Sequence, residues 1–170
     1  LPDDPRFQHA FSGLVSLAYW MGSDVRFFPF GEGSDAAPSG AARIDFSRQG
    51  ARRACAEIGL AMDGPRASLG TSAPGFDRIS EWTPRRIQEV VMSLEVGSEG
   101  GSLTILEAET GSGKTEAALA RFLTLFQAGK VDGIYFALPT RTAATQIYSR
   151  VVRILERAFP DECFRPPVVL

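Results

Sequence analysis

Histidine is all but missing: His9 stands alone in 170 residues. One imidazole cannot build a histidine-rich metal-hydrolase centre, and on an amphipathic stretch it is more often a packing or surface residue. Cysteine is nearly as scarce. Cys55 and Cys163 lie far apart with no CxxC or Cys/His spacing around either, the pattern of two reduced thiols in a cytosolic chain. No apolar run approaches the roughly 20 residues needed to cross a bilayer, so no membrane partner is expected. The opening Leu1-Pro2-Asp3-Asp4-Pro5 lacks the basic and apolar regions of a signal peptide, and it lacks a starting Met. A cytoplasmic location, and a fragment or processed chain, are the expectations. Charge asymmetry is missing too. Residues 1–75 hold seven basic and eight acidic groups, and residues 76–170 hold eleven and twelve. Without a basic field, any nucleic-acid contact must rest on local donors.

What is present divides into three regions. In residues 1–60, Phe7, Ala10, Phe11, Leu14, Val15 and Ala18 recur at helical spacing, which predicts a buried helix ending at Gly22-Ser23-Asp24. Phe27-Phe28-Pro29-Phe30 follows as an extended apolar stretch, since Pro29 restrains its neighbour. Residues 31–42 read as a flexible Gly/Ser/Ala/Pro loop, and a second helix is predicted from about Phe46 to Ile58, stopped by Gly59. Residues 61–75, with Gly64, Pro65, Gly70 and Pro74, read as a linker.

Residues 76–170 alternate in character. Thr83-Pro84 opens a predicted helix through Leu94, and Gly97 to Ser102 reads as a turn. Leu103-Thr104-Ile105-Leu106 and Ile134-Tyr135-Phe136-Ala137-Leu138 read as strands buried on both faces. Helices are predicted from Lys114 to about Ala128, stopped by Gly129, and from about Thr142 to Phe159. On the latter, Ile147, Val151, Ile154 and Ala158 share the apolar face, opposite Arg150, Arg153 and Arg157, which read as solvated surface. The helix–strand–helix–strand–helix order argues for an α/β fold built on a parallel sheet.

The strongest chemical signal is Ala108-Glu109-Thr110-Gly111-Ser112-Gly113-Lys114-Thr115, a phosphate-binding loop between a predicted strand and a predicted helix. Gly111 and Gly113 permit backbone angles and close approach that a Cβ obstructs. Lys114 supplies charge to the β/γ-phosphates, and the Thr115 hydroxyl is set to ligate Mg²⁺. The nucleotide-binding set is therefore Thr110, Gly111, Ser112, Gly113, Lys114 and Thr115, with ATP and Mg²⁺ as ligands. Ala108 in place of a first Gly is the usual form of superfamily-2 helicases. Gln88, on the helix before the loop, joins the set because a carboxamide can pair with both N6 and N7 of adenine; a plain surface Gln is the alternative. Pro139, Thr140 and Arg141 end the second predicted strand, where backbone amides, a hydroxyl and a guanidinium suit a nucleic-acid phosphate. A simple capped helix start is the competing reading.

Residues 108–118, with Leu138-Pro139-Thr140-Arg141 and Gln146-Ile147-Tyr148-Ser149-Arg150-Val151, resemble the helicase-nuclease of type I CRISPR interference. Residues 11–24, followed by Phe27-Phe28-Pro29, are similar to the closing helix of that family's HD nuclease domain. The resemblance implies the C-terminal helices of an all-α HD domain over residues 1–60, the linker, and the first part of a RecA-like P-loop domain over 76–170. It implies ATP- and Mg²⁺-driven translocation on single-stranded DNA, divalent metals in the parent nuclease domain, degradation of invader DNA, and recruitment by an RNA-guided CRISPR surveillance complex. The family's metal-binding Asp aligns with Tyr19, and a phenol replaces a carboxylate poorly. Asp24 lies five positions on, off the same helix face. No catalytic centre is complete among these residues, so the chain alone is expected to bind nucleotide weakly and not to turn it over. The alternatives are another superfamily-2 DNA helicase with an unrelated N-terminal accessory domain, or a decayed non-enzymatic remnant.

Overall fold

A computed structural model of the chain describes residues 3–29, 41–97 and 101–169. The helices are α1 (Pro5–Gly22), α2 (Ala41–Glu57), α3 (Asp63–Ser68), α4 (Arg86–Met92), α5 (Lys114–Gln127) and α6 (Arg141–Ala158), with single 3₁₀ turns at Phe76–Arg78 and Glu162–Phe164. They form two compact units, Leu1–Ala61 and Met62–Leu170. Phe30 and the loop expected over 31–42, up to residue 40, lie outside the described residues, as do residues 98–100 of the turn expected at 97–102.

The expected parallel sheet is not formed among the described residues. Residues 103–106 and 134–138 run without secondary structure, with Leu103 88% and Tyr135 89% exposed. A strand exists only through its ladder, and no described segment pairs with either run, so Leu103, Ile105 and Tyr135 stay in solvent while Phe136 packs against the core.

In the first unit, Asp4 caps α1 by accepting from the Arg6 amide at 2.9 Å, with Pro5 at the first helical position. The expectation that α1 is buried fails. None of its residues is buried, and Phe11, Leu14 and Trp20 are exposed, because α2 meets it only at a few residues. The unit's anchor is the turn after α1. Phe27 is 2% exposed, and Arg53 of α2 donates to the Arg26 carbonyl at 2.6 Å while lying over the Phe27 ring. Asp24 closes this turn, accepting from the Arg26 amide at 2.9 Å and from its guanidinium at 2.6 Å.

Those bonds to Arg26 hold the Asp24 carboxyl below its ordinary 3.8. A carboxylate with a depressed folded pKa contributes stability above its unfolded pKa and loses it as pH falls through the folded value. A ¹³C-carboxyl NMR titration is expected to place the Asp24 midpoint below 3.8 and to return it toward that value in Arg26→Ala; a midpoint at or above 3.8 in the unsubstituted chain refutes the pairing.

In the second unit, residues 62–75 of the stretch 61–75 expected as a linker contain α3. Pro65 falls in the first turn, where a missing N–H costs little, and Leu69 enters the core. From α3, Arg66 donates to the Phe126 carbonyl at 2.8 Å, pairs with Asp132 at 2.6 Å and lies over the Phe126 ring. The core itself gathers on α5, where Leu119, Leu123 and Phe126 are fully buried and pack with Phe76, Ile79, Ile154, Leu155 and Phe159. Gly129, at φ +69°, stops α5 as its position predicts. The α6 apolar face holds Val151, Ile154 and Ala158 as expected, with Leu155 added. Residue Pro84 does not open α4, which starts at Arg86. Arg121 of α5 fixes the other end of α4 by donating to the Leu94 and Glu95 carbonyls at 2.6 and 2.8 Å.

Candidate nucleotide site

The loop before α5 keeps its shape without the expected strand. Gly111 and Gly113 sit at φ +81° and +91°, the left-handed region that L-residues enter at a cost. Gly113 is the N-cap of α5 and offers no side-chain cap. The first-turn amides of a helix have no carbonyl partner within it, so an uncapped start leaves them, and the positive end of the helix dipole, to an anion. The Lys114 ammonium folds back over the loop and donates to the carbonyls of Ala108 and Glu109 at 2.6 and 2.8 Å. The Ser112 hydroxyl is buried with no hydrogen-bond partner, an orphan donor inside the cradle. Thr115 is half-buried in the first turn, and Thr110 is exposed on the rim.

Gln88 is brought to this loop, and it is not a plain surface residue. It is 4% exposed; its Oε1 accepts from the Arg85 amide at 2.7 Å and its Nε2 donates to the Gly113 carbonyl at 3.2 Å. A carboxamide has two lone pairs and two N–H groups. The N–H ties α4 to the loop and the oxygen caps the start of α4 itself, which leaves one lone pair and one N–H of the carboxamide unengaged. Arg85 adds a second tie, its guanidinium donating to the Gly111 carbonyl.

A cavity of about 530 Å³ opens beside the loop, within the size range of small-molecule sites. Its walls include Trp82, Arg85, Gln88, Gly113, Arg150 and Arg153. Arg150, Arg153 and Arg157, expected on a solvated face, are exposed yet line this cavity. Arg150 pairs with Glu116 of α5 at 2.5 Å, and Arg157 donates to the Asp77 carbonyl at 2.6 Å. Sequence inspection missed Trp82, Arg85 and the Glu116–Arg150 pair. The spacing 150, 153, 157 marks one helix stripe, but nothing in it says which element the stripe meets.

Pro139, Thr140 and Arg141 do not line the cavity. Thr140 caps α6, its hydroxyl accepting from the Ala143 amide at 3.2 Å, and all three are exposed. His9 is exposed on α1, Cys55 and Cys163 are free thiols, and Tyr19 is 72% exposed. Among the described residues no group of three or more His, Cys, Asp or Glu is placed to hold a metal, so a nuclease metal centre does not fit them. No described helix is long and apolar enough to cross a membrane.

The DEAD/DEAH box helicase family matches residues 85–163, the stretch from Arg85 through α6. The CRISPR-associated endonuclease/helicase Cas3 of Escherichia coli (strain K12) is 37% identical over 146 residues, covering 82% of this chain and 15% of its own length. The protein of the same description from Thermus thermophilus is 34% identical over 147 residues, covering 85% and 15%. The CRISPR-associated nuclease/helicase Cas3 of Streptococcus thermophilus is 34% identical over 146 residues, covering 82% and 14%. The chain therefore spans about one-seventh of the length of these relatives. No solved structure matches it.

Proposed function

The chain is a Cas3-like CRISPR helicase in part, and from that premise we propose that its second unit carries the ATP-binding side of a RecA-like motor that translocates on single-stranded DNA. The observation that carries this is the pair of left-handed glycines leading into the uncapped start of α5, with Gln88 tied beneath them. In this reading the amides of residues 111–115 cradle the phosphates, and the Ser112 hydroxyl finds its missing partner there. Lys114 exchanges two neutral carbonyls for charged phosphate oxygens, a stronger acceptor set. Thr115 would offer its hydroxyl to Mg²⁺, which would supply charge neutralisation for the phosphates. The free lone pair and N–H of Gln88 read adenine, and Trp82 and Arg153 bound the space beside it. Pro139, Thr140 and Arg141, exposed at the start of α6, hold the DNA backbone; a hydroxyl that already caps a helix keeps its O–H to donate to a phosphate.

For the parent protein we propose a helicase fused to a nuclease, as the relatives' descriptions name, and, on the family resemblance, metal-dependent action on invader DNA alongside an RNA-guided surveillance complex in the cytoplasm. The nuclease part rests on the likeness of residues 11–24 and on the relatives' descriptions. Tyr19 and the described residues around it offer no ligand set, so no nuclease step is assigned to them.

Lys114→Ala tests the nucleotide reading. Hydrogen bonds to charged groups contribute about 1.5–3 kcal/mol, so calorimetric titration with MgATP is expected to give a Kd roughly 10- to 100-fold higher. Equal affinity in both proteins refutes the site.

A further inference from the structure

Glu116 is the third residue of α5, in the turn that also offers its amides to phosphate. A carboxylate there is drawn to the same positive helix end that an anionic ligand would use. Its side chain is only 16% exposed, and its Oε2 is buried without a hydrogen-bond partner. That oxygen lies against the cradle: a Cβ on Gly113 would sit 3.6 Å from it. Left unpaired, a negative charge beside this loop in a mostly buried setting would oppose a polyphosphate more than it would in water. The other oxygen, Oε1, is held by the Arg150 guanidinium at 2.5 Å, reaching across from α6.

We infer that Arg150 is a positioning residue for nucleotide binding: by neutralising Glu116 and holding its carboxylate toward α6, it leaves the start of α5 to the phosphates. The arrangement rests on the loop binding a nucleoside triphosphate, as proposed above. It accounts for a carboxylate tolerated directly behind an anion site, and it gives one arginine of the α6 stripe a task that its neighbours do not share. Arg157 is bonded to a backbone carbonyl and Arg153 to its own helix at the Ser149 carbonyl, 3.4 Å away. Neither is paired with a carboxylate among the described contacts.

A double-mutant cycle on the full chain, read by calorimetric titration with MgATP and by thermal melts, tests this. Arg150→Met is expected to weaken binding about tenfold. Glu116→Gln is expected to bind at least as tightly as the unsubstituted chain, because the charge needing neutralisation is gone. The double variant is expected to recover to within about twofold; a merely structural pair would instead lose affinity in Glu116→Gln alone. If Arg150→Met lowers the melting temperature, Arg150→Lys, which keeps the charge, is expected to retain binding within about threefold. Tight binding by Arg150→Met overturns the inference. So does a double variant as weak as Arg150→Met, or a folded Arg150→Lys as weak as the Met variant. Failure of the unsubstituted chain to bind MgATP sinks the nucleotide reading and this inference together; binding that Lys114→Ala abolishes and Arg150→Met leaves intact sinks this inference alone.

Discussion

Gly113→Ala is expected to reduce MgATP affinity about a hundredfold. Two penalties act together at this position. A residue with a Cβ held at φ +91° costs about 1–2 kcal/mol. The new Cβ would also collide with the Gln88 amide nitrogen, so Gln88 must move. Moving it breaks the 3.2 Å bond to the Gly113 carbonyl and the 2.7 Å bond that starts α4. Gly70→Ala separates strain from collision, for Gly70 has φ +82° with nothing near its missing Cβ. That variant is expected to lose about 1 kcal/mol of stability and to bind MgATP like the unsubstituted chain. Calorimetry and melting curves on both proteins decide the matter, and equal binding by Gly113→Ala removes the cradle as the nucleotide site.

Phe126→Ala is expected to destabilise the second unit by about 3–5 kcal/mol. The ring has no solvent exposure and packs tilted against Phe122 at 5.5 Å and edge-on to Phe159 at 6.2 Å. The Arg66 guanidinium covers it and donates to its carbonyl, so truncation opens a cavity and strips a cation of its aromatic face. For a domain of total stability about 5–15 kcal/mol, that loss moves the melting temperature by well over ten degrees. Phe11→Ala on α1, 44% exposed, is expected to cost under about 1 kcal/mol. Similar shifts for the two variants in circular-dichroism melts would show that α5 is not the centre of the core.

What was legible in the sequence was what local chemistry decides. Gly129 and the glycines at 111 and 113 act through the conformations of their own backbone, and each sits where its position predicted. The α6 apolar face was readable from its 3.6-residue period. Burial of α1 was not, because the same period marks a helix face whether or not anything covers it. The two apolar runs at 103–106 and 134–138 have strand composition, yet pairing is a property of the neighbour rather than of the run. At the site, the loop and Gln88 were visible as residue types. The Gln88–Gly113 bond, Arg85 on Gly111 and Arg150 on Glu116 span from 25 to 34 positions, and no local pattern encodes such contacts.

The helix α6 has a mechanical consequence. Its cap, Thr140, belongs to the segment proposed to grip DNA, and Arg150 grips the first turn after the phosphate loop. At 1.5 Å of rise per residue the two grips stand about 15 Å apart on one uninterrupted rod, with no glycine or proline between them to act as a joint. A tilt imposed at one grip is delivered at the other as a displacement, so the helix has the geometry of a lever arm whose stroke is set by its length.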